Sequence, residues 1–148
     1  MVHVGVRPVE AWTVPRLSAL VAGAIFTAVG VAGFLVTGID GFAEDYGEPL
    51  LGLRVNPLHN LLHLGTGAVA LLFARSTAGA GLFGVLLAGG YGLVFVYGLK
   101  AVGHPRADVL ALNWADNVAH LIAALAGVAI AFAAWMSWGP GSRDRGKH

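Results

Sequence analysis

Three histidines and one aspartate stand out in an otherwise apolar chain: His59 with His63, and Asp116 with His120. Each pair is spaced i, i+4, which on a helix brings the two side chains roughly 5–6 Å apart, close enough to share one cation. Three imidazoles and a carboxylate form a donor set that suits zinc, iron or copper. Ligation needs neutral imidazole. A helix N-terminus disfavours protonated histidine while favouring an aspartate carboxylate. Both pairs sit just inside such a start. Asn56 precedes Pro57, an N-cap followed by proline at the first helical position, and Asn113 holds the same place before Asp116. Asn60 and Asn117, one residue further round each helix, would orient the imidazoles or hold the helices together.

The two stretches are copies of one another. Asn56, His59, Asn60, His63 and Leu64 fall on Asn113, Asp116, Asn117, His120 and Leu121 at an ungapped offset of 57 residues. Carried backwards, the same offset lays Phe26 on Phe83, Gly33 on Gly90 and Phe34 on Tyr91. The chain therefore reads as an internal duplication. The helices after Asn56 and Asn113 run in the same direction, so a duplicated pair is related by a pseudo-two-fold axis along the membrane normal. Their polar stripes then lie at one depth and face each other.

The elements that must position these residues are membrane helices. The chain has 148 residues, 57% of them hydrophobic and only 11% charged, whereas about a quarter of a soluble domain is charged. The apolar residues are blocked into runs of roughly 20, the length a helix needs to cross a bilayer. The expected fold is an all-α integral membrane domain covering residues 1–148, with four transmembrane helices as two tandem hairpins. The spans fall at about 17–38, 57–74, 80–99 and 114–138. The stretch carrying Asp40, Glu44, Asp45 and Glu48 and ending at Arg54 reads as a solvated loop, as does the one carrying His104, Pro105, Arg106 and Asp108. No cleavable signal is expected in the polar lead that holds His3, Arg7 and Glu10. His3 and His148 belong to the tails.

Arg7, Arg16, Arg75, Arg143, Arg145 and Lys147 lie on one side of this arrangement; Arg54, Lys100 and Arg106 lie on the other with most of the acids. The positive-inside rule then puts both termini in the cytoplasm and the His/Asp cluster near the outer face. Trp12 and Arg16 read as interface anchors of the first span. Small residues recur every four positions, at Ala80, Gly84, Ala88 and Gly92 and at Ala119, Ala123, Gly127 and Ala131, a pattern that packs helix on helix in lipid.

Several functions are excluded. No cysteine is present, which removes disulfides, thiolate metal sites and thiol catalysis. A net charge of +1 gives no reason to expect nucleic acid as a partner. No phosphate-binding glycine loop, nucleophile elbow or His-Glu-x-x-His signature occurs, so no familiar catalytic class is indicated. What remains is a transition-metal site, redox-active or not, on His59, His63, Asp116 and His120. The same residues also fit an interhelical hydrogen-bond network in a structural protein, an accessory subunit of a larger membrane complex or a homo-oligomer. Bis-histidine haem b on His63 and His120, and proton or cation passage, are further readings.

The run Asn56-Pro57-Leu58-His59-Asn60-Leu61-Leu62-His63-Leu64-Gly65, followed by Asp116-Asn117-Val118-Ala119-His120, resembles the four-helix membrane proteins of actinobacteria grouped as domain-of-unknown-function family 4383. The resemblance spans roughly residues 17–138. It implies a multi-pass protein of a bacterial cell membrane, and it implies no activity.

Overall fold

A computed structural model describes residues 12–44 and 47–138. His3, Arg7, Glu10, Asp45, Arg143, Arg145, Lys147 and His148 lie outside the described residues. The elements run α1 (Val14–Thr37), β1 (Glu48–Leu50), β2 (Leu53–Val55), α2 (Pro57–Phe73), α3 (Thr77–Ala101) and α4 (Trp114–Met136). Three helices, α1, α3 and α4, are long and apolar enough to cross a membrane, with 24, 25 and 23 residues; α2 is a shorter apolar helix of 17. Large apolar side chains such as Leu35, Leu93 and Trp135 point outward and stay exposed. Helices apolar on their outer faces as well as their inner ones belong in lipid, and the chain is a helical, multi-pass membrane protein.

Residue types set the helix starts. Pro15 stands in the first turn of α1, and Pro57 in that of α2. The Asn56 side chain accepts from the His59 backbone N–H at 2.9 Å, and Ser76 caps α3 by accepting from Gly79 at 3.0 Å. α4 begins with a full capping box. Asn113 Oδ1 accepts from the Asp116 N–H at 2.9 Å, and Asp116 Oδ2 accepts from the Asn113 N–H at 2.8 Å. Four orphan N–H groups open every helix, and these side chains take some of them up.

α1 packs chiefly on α2, and α3 on α4. The α3–α4 seam follows the small-residue pattern: Gly84 lies against the backbone of Gly127 and Ala131, and Gly127 against the backbone of Gly84 and Ala88. Backbones that close leave no room for larger side chains. The pattern fails at its ends near the capped side, where Gly92 has nothing within 4 Å and Ala119 is exposed. Between the two pairs, Phe83, Leu87 and Tyr91 join Ala19, Ala70, Ala124 and Ile130 in the apolar core. At the opposite end from the long loops, Arg16 is buried: its Nε donates to the Ala74 carbonyl at 3.2 Å, and its guanidinium lies 4.7 Å from the Trp12 ring.

Two expectations are corrected. The stretch ending at Arg54 contains an antiparallel hairpin, β1 with β2, rather than loop alone. Its turn is made by Leu51 and Gly52, both with positive φ (53° and 89°). A two-residue turn of type I′ has that conformation at both central positions, and leucine is a residue that does not advertise it. The second correction concerns register. The glycine facing Asn60 is Gly33, but the glycine facing Asn117 is Gly98; Gly90, the partner a constant offset assigns to Gly33, has nothing within 4 Å.

Candidate metal centre

The N-terminal turns of α2 and α4 bring His59, His63 and His120 together. One ligand atom from each lies within 4.8 Å of those of the others, and all three side chains are buried. The ring centroids of His59 and His63 are 4.5 Å apart, those of His59 and His120 5.5 Å. His59 stands at the centre of the group because it shares a helix turn with His63 and faces α4. It is 2% exposed, yet neither of its ring nitrogens makes a hydrogen bond within the described residues. His63 Nδ1 and His120 Nδ1 are also buried without a partner. The backbone at Arg54 and Leu110 flanks the His59 ring without reaching hydrogen-bond geometry. Buried polar atoms are nearly always bonded, so four unpaired imidazole nitrogens in one cluster call for an explanation.

Asp116 lines the same cavity but stands apart from the histidine group. Its Oδ2 accepts two backbone N–H groups, from Asn113 at 2.8 Å and from Arg54 at 3.1 Å. The carboxylate thus starts α4 and ties β2 to it. Asn113 extends that tie, its Nδ2 donating to the Gly52 carbonyl at 2.9 Å. Asn56 does more than cap α2: its Nδ2 donates to the carbonyls of Glu44 and Val109, each at 2.9 Å, joining the two long loops. Asp108 orders the second loop by accepting from the backbone of Leu110 and Leu112. Tyr97 donates to the Ala107 carbonyl at 2.5 Å and accepts from the Val109 N–H at 2.9 Å. Val55, Ala111 and Leu112 fill the space beneath and are buried. This cap closes one end of the bundle over the histidines.

Asn60 and Asn117 do not touch the histidine nitrogens. Each amide lies on a glycine of the paired helix, Asn60 on Gly33 and Asn117 on Gly98, where any Cβ would overlap it. Asn60 Nδ2 donates to Thr37 Oγ1 at 3.0 Å, and the Asn117 amide has no partner among the described residues.

Aromatic rings complete the site. Phe26 packs on His63 at 5.7 Å between centroids and Tyr91 on His120 at 5.5 Å, while Phe26 and Tyr91 meet at 5.0 Å. The Tyr91 and Thr66 hydroxyls are 3.3 Å apart. The histidines were visible in the sequence, whereas these two aromatics were matched there to Phe83 and Phe34 and were not placed at the site. Their signal was a spacing of 65 residues between Phe26 and Tyr91, the same as between Gly33 and Gly98.

The histidines form one wall of a cavity of about 280 Å³. Its exposed lining residues, Ile25, Ala119, Ile122 and Ala126, all belong to α1 and α4, so its mouth opens sideways between those helices. Three neutral imidazoles beside an open volume can hold a first-row metal ion and leave a coordination position free.

A family model described as "Domain of unknown function (DUF4383)" matches residues 16–133. Neither the curated proteins nor the solved structures contain a significant match to the chain.

Proposed function

The chain belongs to the DUF4383 family, a domain of unknown function, and for it we propose a membrane protein that holds a transition-metal ion on His59, His63 and His120. The observation that carries this reading is the convergence of three buried imidazoles, four of whose nitrogens are buried without a hydrogen-bond partner among the described residues. Ligands bound to zinc at 2.0–2.1 Å in a tetrahedron stand roughly 3.3 Å from one another. The 4.8 Å limit therefore leaves at most about 1.5 Å to be closed. Zinc, iron(II) and copper all accept such a set. Asp116 serves as the cap of α4 and a wall of the cavity, and the Arg54 and Leu110 backbone is placed to take up the second N–H of a ligated His59.

Two other readings fit less well. A hydrogen-bonded polar network is expected to satisfy its members, and here the rings bond neither to each other nor to Asn60 or Asn117. Bis-histidine haem would be held by His63 and His120 alone, and it gives no role to His59, a third buried imidazole within 4.8 Å of both.

The proposed setting is a bilayer crossed by all four helices as two parallel repeats, with both termini cytoplasmic and the capped end outside. Matching contacts support the repeat: Phe26 with His63 and Tyr91 with His120, Asn60 on Gly33 and Asn117 on Gly98. In this register α1 and α3 are offset by 65 residues and α2 and α4 by 57, the longer first loop holding the hairpin.

The test is elemental analysis of detergent-purified protein without a histidine tag, expressed with zinc, iron or copper supplied. About one ion per chain is expected from a single three-histidine site. Near-zero content for every metal in folded protein would leave the site structural. Cysteine labelling decides orientation: reaction from outside at position 44, with none at position 145, is expected.

A further inference from the structure

We propose that the side-opening cavity receives the head group of a lipid-soluble quinone, with its apolar tail lying between α1 and α4. The cavity joins a second groove of about 690 Å³ between the same helices, sharing Ala22, Ile25 and Ala126 with it. That groove runs from Ile25 to Val14, about 16 Å of helix at 1.5 Å per residue, and on the α4 side reaches Ala133. Its lining is apolar apart from Ser18. A molecule reaching the histidines by this route comes from the lipid, because the capped end is filled by buried Val55, Ala111 and Leu112.

The chemistry of the inner end selects among lipids. The cavity wall holds one acid, Asp116, and no lysine or arginine, so nothing there neutralises a phosphate head group. Buried imidazoles with unpaired nitrogens offer donors to a neutral carbonyl oxygen: His59 is 2% exposed, His120 3% and His63 6%. Phe26 and Tyr91 lie beside those rings and line the same cavity, an aromatic wall against which a flat ring can pack. A neutral, planar, carbonyl-bearing head on an apolar tail satisfies all three conditions. Ligand pockets of this kind, mostly apolar with a few convergent polar groups, are the usual form of small-molecule sites.

This inference rests on the cavity and not on the metal. The experiment is photolabelling of the detergent-purified full chain with an azido-naphthoquinone carrying a short prenyl tail, followed by peptide mapping. Saturable labelling of α1 and α4 around Phe26 and Ala123 is expected, suppressed by excess unlabelled naphthoquinone and unaffected by phosphatidylglycerol. Ala123→Phe fills the cavity and should weaken labelling about tenfold or more; Leu93→Phe, on an exposed face of α3, should not change it. If Ala123→Phe fails to fold, Ala126→Phe at the exposed mouth takes its place. Unsaturable labelling, equal labelling in a folded cavity variant, or displacement by phospholipid overturns the proposal. Labelling that persists after chelator treatment supports the quinone site without the metal, and near-zero metal content in freshly purified protein that still labels overturns the metal reading alone; metal retained in Ala123→Phe while labelling is lost supports the quinone site independently.

Discussion

Phe26 and Tyr91 meet with their ring centroids 5.0 Å apart, and each also touches one histidine of the triad, His63 from Phe26 and His120 from Tyr91. The two helix pairs are therefore coupled through the aromatic pair as well as through the histidines. Tyr91→Phe keeps the ring and loses only the contact with Thr66, so melting temperature in detergent should barely move. Tyr91→Ala opens a void in the core, and such truncations cost about 3–5 kcal/mol. It should lower both melting temperature and metal content.

His59→Ala should abolish metal binding more completely than either neighbour's loss, since His59 is the residue that contacts both other rings. Asp116→Ala separates the two roles open to that carboxylate. It removes a helix cap, a change worth about 0.5–2 kcal/mol, and should leave metal content near the wild-type value. Metal analysis and thermal melting of the two variants check this, and equal loss of metal in both would make Asp116 a ligand.

Gly33→Ala places a methyl group in the space of the Asn60 amide. Overpacking of this sort costs about 1–3 kcal/mol. Adding Asn60→Ala should recover part of the loss, because the two residues are in contact and their effects are coupled. Gly98→Ala with Asn117→Ala should behave likewise. Melting of singles and doubles gives both coupling terms, and additive effects would deny the contact.

Gly127→Leu should separate α3 from α4, as the glycine faces the backbone of Gly84 and Ala88. Gly90→Leu, with nothing within 4 Å, should be tolerated. The contrast is read from the yield of monodisperse protein and its melting temperature.

Leu51 occupies the left-handed region with φ of 53°. Leu51→Asn supplies the residue that a two-residue turn ahead of glycine prefers, and should gain about 0.5–1 kcal/mol. No change, or a loss, would mean that the left-handed backbone at Leu51 carries no strain that asparagine relieves.

The helices were legible because their starts are chemically marked. Pro57 after Asn56, and Asn113 before Asp116, fix where α2 and α4 begin, and the histidine spacing then follows from helix geometry. The hairpin was not legible, since Leu51 gives no turn signal. Asp116 was ambiguous: a carboxylate three residues after an N-cap asparagine is also a capping-box signature, and one residue type served both readings. The register of α1 against α3 escaped a single offset because the two connecting loops differ in length, which shifts the first helix of each pair and leaves the second in place.

Asn56 holds the Glu44 and Val109 carbonyls at once, and this double tie bears on time rather than on affinity. An ion cannot travel through hydrocarbon, and the lateral mouth opens onto lipid. Any ion at the triad has to pass the cap, so it enters while the loops are still coming together or when they part again. For an ion bound as proposed, exchange then proceeds no faster than the loops separate. Asn56→Ala, which cuts the tie, is expected to speed that exchange.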